Sequence, residues 1–219
     1  MKVTIEIKEG NSVKKCYDSR KQTEVDPDNW DSTLVRWLNR EEELFLALED
    51  VIVSERLKQG FDNVDEFIRY SLTVHNRRKS RMGYSLEHQL AAIFDLNRIR
   101  YGRQVRTEGK NRADFIFPGH TEYHNLEFDA SLLVMLGAKS TPKERWRQIL
   151  TEAKRIPHKH LCTLETAIST AQTDEMEVQQ VTLVIPFDLH NTFTAAQQEK
   201  LMTINDFLDF VRYKQQQLQ

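Results

Sequence analysis

Apolar residues recur at helical spacing through the first half of the chain. They predict an amphipathic helix over residues 31–58, with Asp31 or Ser32 as its N-cap and Gly60 ending it. A second helix is predicted over residues 64–76. A third is predicted to begin at Ser85, which has the side chain of an N-cap residue, and to end near residue 97.

Shorter apolar runs in the second half of the chain predict strands. Residues 103–107 and the run ADFIFPG (113–119) have the pattern of two strands, and a further strand is predicted to end near Lys139. Another short strand is predicted in HLCTL (160–164). The run VTLVIPF (181–187) is the most apolar and β-branched of all, which predicts a central position in the sheet.

Two more helices are predicted among these strands. Thr141 and Pro142 open one, with proline at its first position, that is predicted to reach about residue 155. The run INDFLDFVRYKQQQ (204–217) predicts a closing amphipathic helix. Helices followed by mixed strands and helices predict an α/β fold with a central mixed β-sheet flanked by helices.

Composition narrows the class of protein. The 219 residues, 39% apolar and 29% charged, suit one folded domain, either alone or with a short extra arm. No apolar run approaches the roughly eighteen residues of a membrane span, and the N-terminus lacks a secretory signal, so no membrane association is expected. With only Cys16 and Cys162, the chain has no disulfide framework, which fits a cytoplasmic location.

The net charge of −2 hides a strong segregation of charge. Residues 76–112 carry ten Lys or Arg against three acids, and residues 139–160 carry seven against two. Residues 41–67 contain nine acids. Two basic blocks can present one positive face to a polyanion such as DNA, although solvated helix surfaces would give the same counts.

Four charged residues are candidates for metal-assisted chemistry. Asp114 begins an apolar strand, where an acid is costly to bury unless a cation binds it. Lys139 ends another predicted strand, Glu152 lies thirteen residues later, and Glu87 lies on the preceding helix. Carboxylates that hold Mg²⁺ beside a lysine are what phosphodiester hydrolysis requires. An ion pair at the edge of a sheet is the alternative interpretation.

The wider sequence resembles a known family from about Leu38 to the C-terminus. It is similar to type II restriction endonucleases of the PD-(D/E)XK superfamily, in particular to the EcoRII C-terminal catalytic domain family, whose members cut CC–GG type sites. The resemblance implies a restriction-endonuclease-like fold, with residues 1–30 as an arm of uncertain role and 31–219 as the catalytic domain. It is densest in GFDNVDEFI (60–68), NRRKSRMGYSLE (76–87), DFIFPG (114–119), KERWRQIL (143–150) and LMTINDF (201–207).

The resemblance also implies which residues are catalytic. Asp114, Glu152 and Glu87 would be the metal carboxylates and Lys139 the catalytic lysine. The second acid has moved from its usual place two residues before the lysine, where Gly137 stands, to Glu152. Ala113 replaces the family's leading proline, which has no ligand role. Tyr123 matches a tyrosine near the family's active site.

The residues expected to contact DNA lie in the two basic blocks. A basic–acidic–basic triplet at the start of the 142–155 helix can read C·G pairs in the major groove, and the resemblance implies this role. A solvated helix start is the alternative. Basic side chains before Gly83 are expected to bind phosphates. The expected contacts are Lys143, Glu144, Arg145, Arg147, Asn76, Arg77, Arg78 and Arg81.

Together these inferences predict a Mg²⁺-dependent endonuclease that makes staggered cuts in double-stranded DNA. The expected site is 5′-CCWGG or a related CCNGG sequence. A two-fold homodimer suits such a pseudo-palindromic site, and a monomer that nicks each strand in turn is the alternative. A catalytically idle DNA-binding module and a repair nuclease on the same fold remain open.

Overall fold

The computed structural model describes residues 2–7, 13–18, 24–166 and 168–218, with backbone alone in the first two ranges and at residues 143 and 144. Near the N-terminus, β1 (Lys2–Ile7) and β2 (Val13–Asp18) pair antiparallel as a separate two-stranded sheet. Val3, Ile5 and Ile7 alternate with polar residues along β1, as is typical of a strand.

Helix α1 spans Trp30–Gln59, close to its predicted bounds. Its N-cap is Asn29, whose side chain accepts from the Ser32 backbone N–H at 3.1 Å, so the prediction of Asp31 or Ser32 as N-cap was wrong. Asp31 is buried instead. Its carboxylate accepts from backbone N–H groups, at distances of 2.7–3.2 Å, in two later segments of the chain. The Asp31 carboxylate therefore links the start of α1 to the C-terminal part of the fold through hydrogen bonds.

Helix α2 runs without a break over Val64–Leu96. The prediction of two helices, one ending at residue 76 and another capped by Ser85, was wrong, because Ser85 is buried inside α2 and Asn63 is the N-cap. Gly83 lies within the helix. The break predicted around this glycine does not occur because α1 lies alongside α2 and supplies partners for its polar side chains.

Acidic residues of α1 and basic or polar residues of α2 join the two helices into a hairpin. The Nε of Arg78 donates to the buried Glu49 carboxylate at 2.6 Å, and Arg81 lies 3.5 Å from Glu42. The guanidinium of Arg81 also lies 4.7 Å from the ring centroid of Phe45. Some of the segregated charges in the sequence therefore form ion pairs that stabilise this hairpin.

The main sheet contains five strands in the order β3-β4-β5-β6-β7. Neighbours β3, β4 and β5 are antiparallel, whereas β5, β6 and β7 are parallel, so the predicted mixed sheet is confirmed. The strands are β3 (Gly102–Arg106), β4 (Arg112–Phe117), β5 (Val134–Ala138), β6 (Lys159–Cys162) and β7 (Val181–Val184).

The prediction that the 181–187 run is central was wrong, because β7 lies at the edge of the sheet. Its apolar character has another cause. Val181, Leu183 and Val184 are all buried, and Met202 forms a parallel bridge with Val184 along the outer side of the strand. An edge strand covered on its faces and outer side needs the same residues as a central one.

Two apolar cores cover the faces of the main sheet. One is formed by α1, α2 and α6 (Ile204–Gln216) against residues such as Phe115 and Leu136, and the other contains Trp146 and Ile149. The remaining helices are α3 (His120–His124), α4 (Thr170–Val178) and α5 (Ala195–Gln198), with short 3₁₀ turns at Ala130–Leu132 and Phe187–Thr192. No helix of the described part is long and apolar enough to cross a membrane.

The segment after Pro142 differs from its prediction. It is a 3₁₀ helix over Lys143–Thr151, not an α-helix over 142–155, and Pro142 is its N-cap. Burial of Trp146 and Ile149, three residues apart, matches the three-residue repeat of a 3₁₀ helix, which places both side chains on one face.

Substitution of Arg78 tests the hairpin contacts. We expect Arg78→Ala to lower the melting temperature, because it leaves the buried Glu49 carboxylate without its cation. The neighbouring Arg77→Ala, at an exposed position, is the matched control and should melt as the wild type does. Equal melting temperatures for the two variants, measured by circular dichroism, would contradict a structural role for Arg78.

Candidate active site

Asp114 is buried within β4 and both of its carboxylate oxygens accept hydrogen bonds. Oδ1 accepts from the Gln104 amide at 3.1 Å. Oδ2 accepts from the Ala138 backbone N–H at 2.8 Å and from the Lys139 ammonium at 2.7 Å. The donors come from the strands on both sides of β4. The cation that the sequence required for a buried acid is therefore Lys139.

Lys139 follows directly after β5. Its backbone N–H donates to the Cys162 carbonyl at 3.0 Å, which fixes the start of its side chain against β6. The ammonium group reaches back to Asp114 and also lines an open cleft. An ammonium group held this way can offer positive charge and protons to an anion in the cleft.

Glu152 is the residue immediately after the 3₁₀ helix and caps its C-terminus. Its side chain is buried, and its Oε2 has no hydrogen-bond partner. Burial raises the pKa of Glu152 to about 7, with the Lys139 charge acting in the opposite direction and the Asp114 charge adding to the rise. The charges of Lys139 and Asp114 thus both act on Glu152, which the resemblance implied as a metal carboxylate.

The absence of an acid two residues before Lys139 has a steric cause. A Cβ at Gly137 would lie 2.9 Å from Cγ2 of Ile149, closer than side-chain atoms pack. The 3₁₀ helix lies so tightly over β5 here that a carboxylate has no room. The 3₁₀ helix that covers Gly137 ends at Thr151 and Glu152 follows directly, so the covering segment carries an acid that the strand does not.

Glu87 is joined to Asp114 through Gln104, a residue that the sequence analysis missed. The Oε2 atom of Glu87 accepts a hydrogen bond from the Gln104 amide at 2.9 Å and another from Arg103 at 3.3 Å. The signal that could have found Gln104 is hairpin symmetry. Counting five residues outward from Gly109, at the turn between β3 and β4, gives Gln104 on one side and Asp114 on the other.

The cleft has a volume of about 590 Å³ and a mixed, mainly basic lining. Four of its charged lining residues are cations and two are acids, so a phosphate group in the cleft would meet net positive charge. Arg145, on the 3₁₀ helix, is exposed and lines the same cleft. The charged residues of the lining are Lys79, Glu87, Arg103, Asp114, Lys139 and Arg145.

Tyr123 does not take part in this cleft. It is buried in α3, its hydroxyl donates to Glu108, and the guanidinium of Arg155 lies 5.8 Å from its ring centroid. Burial and the Glu108 carboxylate raise the pKa of the Tyr123 hydroxyl. Because these contacts hold the hydroxyl among structural partners, we leave Tyr123 out of the candidate active site.

Two of the expected DNA contacts are exposed on α2, and three are held elsewhere. Asn76 and Arg77 are exposed. Arg78 and Arg81 are tied to α1, as described above, which argues against both as free phosphate contacts. Arg147 binds the Glu175 carboxylate of α4 with two nitrogens, at 2.7–3.1 Å. The side chains of Lys143 and Glu144 lie outside the described residues.

The residues present fit a hard divalent cation in their chemistry. Within the described ranges, no three His, Cys, Asp or Glu side chains lie close enough together to hold a metal. In this arrangement the Glu87 carboxylate is bound to Arg103 and Gln104, and the Gln104 amide lies between it and Asp114. The Glu152 Oε2, buried and without a partner, is nevertheless the kind of oxygen atom that a cation such as Mg²⁺ satisfies.

Comparison with known proteins identifies the family. The chain matches the EcoRII C-terminal family over residues 45–208. The chain belongs to this family. It is 43% identical over 169 residues to the type II restriction enzyme EcoRII of Escherichia coli, which confirms the predicted resemblance. That alignment covers 77% of this chain but 42% of EcoRII, so the chain spans less than half the length of this relative.

Solved structures agree on the fold of this EcoRII C-terminal family member. A metal-depleted Ecl18kI complex with uncleaved DNA matches with a TM-score of 0.74 at 20% identity, covering 91% of this chain and 74% of that one. A PspGI–substrate DNA complex matches with a TM-score of 0.67 at 15% identity, covering 85% and 80%. The restriction-endonuclease-like fold predicted from the sequence is therefore confirmed.

Proposed function

We propose that this chain is a type II restriction endonuclease that hydrolyses phosphodiesters of double-stranded DNA at 5′-CCWGG or a related CCNGG site. The observation that carries the proposal is the Asp114–Lys139 pair, 2.7 Å apart in a mainly basic cleft, whose charges also act on the buried Glu152. Membership of the EcoRII C-terminal family supports the DNA substrate. The CCWGG sequence rests on the family resemblance.

The cleft residues divide into those that bind the phosphate and those that act on it. Lys79, Arg103 and Arg145 line the cleft and would hold the DNA backbone by charge. The hydrogen bond to Asp114 would hold the Lys139 ammonium at the reacting phosphate. There the ammonium would orient the attacking water and stabilise the negative charge that develops on the phosphate oxygens.

The carboxylates would hold Mg²⁺ as the cofactor. Asp114 and Glu152 are the proposed ligands, with Glu87 held nearby by Gln104. When bound, the metal would polarise the phosphate and lower the pKa of a water molecule. A metal ligand must be ionised, so the neutralisation that burial favours for Glu152 would have to be reversed by the cation itself.

The 3₁₀ helix is proposed as the element that reads base pairs. Arg145 is exposed on it and lines the cleft, and an arginine can donate two hydrogen bonds to guanine. The same helix ends at Glu152, only seven positions further on. Recognition and cleavage would then depend on the same rigid segment. A wrong base pair that displaces Arg145 would also displace Glu152, a proposed metal ligand.

Substitutions in the cleft test the catalytic assignment. Asp114→Ala, Lys139→Ala and Glu152→Ala should each reduce cleavage of a CCWGG duplex by at least about a hundredfold, because each removes charge at the reacting phosphate. Binding of the duplex in a gel shift without metal should be retained. Glu127→Ala, at an exposed position outside the cleft, is the control and should cut normally.

Near wild-type cleavage by Asp114→Ala or Lys139→Ala would overturn the active site. Loss of cleavage in Glu127→Ala, with Glu152→Ala still active, would overturn the assignment of Glu152. Specific binding without cleavage by the wild type would instead favour the idle DNA-binding module. Cleavage of mismatched or branched DNA in preference to CCWGG would favour the repair nuclease.

Arg145 and Arg147 provide a matched test of base recognition. Arg145→Ala should reduce the ratio of specific to nonspecific affinity by about ten- to a hundredfold, since one bidentate base contact is worth roughly 1–3 kcal/mol. Arg147→Ala should leave the ratio unchanged, because Arg147 is bound to Glu175. Gel-shift titrations on CCWGG and scrambled duplexes measure both. Equal loss of affinity on the two duplexes for Arg145→Ala would contradict base reading.

A homodimer is proposed as the active form. Val64, Ile68 and Leu72 form an apolar stripe along α2 that is 70%, 48% and 55% exposed. Antiparallel pairing of two stripes would set Ile68 of one copy against Ile68 of the other, and Val64 against Leu72. Such two-fold pairing matches the pseudo-palindromic site.

Light scattering tests the dimer. Ile68→Glu should convert a dimer of the wild-type protein to a monomer, because it places a charge in the centre of the apolar stripe. Leu126→Glu, at an exposed apolar residue away from α2, is the control and should remain dimeric. A monomeric wild type, or a dimeric Ile68→Glu variant, would contradict this interface.

A further inference from the structure

We propose that Gln104 is a positioning residue of the active site, whose side-chain amide holds Glu87 and Asp114 in a fixed arrangement. Its Nε2 lies 2.9 Å from the Glu87 carboxylate and 3.1 Å from that of Asp114. An amide nitrogen carries two hydrogens, one for each of these acceptors. The catalytic part of this inference rests on the proposed nuclease function.

The backbone of Gln104 is unusual for a residue inside a strand. Its φ is 50°, in the left-handed region that residues other than glycine seldom occupy. In the β3–β4 register, Arg103 pairs with Phe115 and Val105 pairs with Ala113, so Gln104 stands opposite Asp114. The strained residue thus faces the buried acid of the site, which is where such strain is found when it serves function.

Gln104 is the one residue in the described contacts that donates to both acids. Arg103 also reaches Glu87, at 3.3 Å, but its other nitrogen lies 3.1 Å from His88. The second oxygen of Asp114 is taken by Lys139 and the Ala138 N–H. Gln104 therefore connects the acid of α2 to the acid of β4.

A neutral donor suits this position chemically. Lys139 and Arg103 already bind these two acids, and a third cation at position 104 would compete with a divalent cation for their remaining oxygens. An amide orients the same oxygens without adding charge. Hydrogen bonds that orient metal-binding carboxylates in this way change metal affinity or activity by about 10–100-fold when they are removed.

Two variants of Gln104 and one control separate this role from a purely structural one. Gln104→Gly removes the amide and relieves the left-handed backbone, and Gln104→Met removes the amide at similar length. The control is Gln180→Gly, at an exposed glutamine with a φ of 56° outside the cleft. The measurements are melting temperature, calorimetric titration with Mn²⁺ in the absence of DNA, and kcat and KM on a CCWGG duplex.

Both Gln104 variants should bind Mn²⁺ about 10–100-fold more weakly and lose kcat, with KM nearly unchanged. Gln104→Gly should melt no lower than the wild type, and Gln180→Gly should match the wild type in metal binding and kinetics. Wild-type Mn²⁺ affinity in both Gln104 variants, or no Mn²⁺ binding by the wild type, would overturn the inference. So would losses explained by a lower melting temperature in both variants.

Failure of the nuclease proposal would look different. A wild type that binds Mn²⁺ but cleaves no DNA would overturn the proposed function, while the titrations of the Gln104 variants would still decide whether the amide organises the two acids. A wild type that cleaves CCWGG, with Gln104→Gly and Gln104→Met equally active and equally tight for Mn²⁺, would overturn the role of Gln104 alone.

Discussion

A carboxylate buried inside a sheet is the constraint on which the candidate site depends. Burying a carboxylate among Phe115, Ile116 and the other apolar residues of β4 is costly unless donors satisfy its oxygen atoms. Donors come from β3 through Gln104 and from the end of β5 through Lys139. The order of the strands therefore determines the chemistry, because Asp114 lies between the two strands that supply its partners.

The 3₁₀ helix packs closely on one face of β5, and Glu152 follows directly after this helix. The 3₁₀ helix is pressed against Gly137, with no room for even a Cβ beside Ile149. Arg145 and Glu152 therefore lie on, and directly after, a segment packed against the strand that Lys139 follows. Under the proposed function, this packing would couple base reading to cleavage.

Some of this organisation could be predicted from the sequence, and some depended on distant contacts. Periodic apolar residues predicted the closing helix. The position of Asp114 at the start of the apolar run DFIFPG indicated an acid that needs a cationic partner. The continuity of α2 was not predictable locally, since the Glu49 that binds Arg78 lies twenty-nine positions away. Gln104 was missed because a left-handed residue leaves no mark in a hydrophobic pattern. The 3₁₀ helix was predicted as α because proline opens both kinds of helix.

Digestion of one plasmid of known sequence, with Mg²⁺ and with a chelator, tests the proposed cleavage and its sequence specificity together. We expect Mg²⁺-dependent double-strand cuts whose mapped ends are staggered and fall only at CCWGG or related CCNGG sites. Ends at unrelated sequences, or an uncut plasmid under conditions in which the protein binds CCWGG, would contradict the proposal.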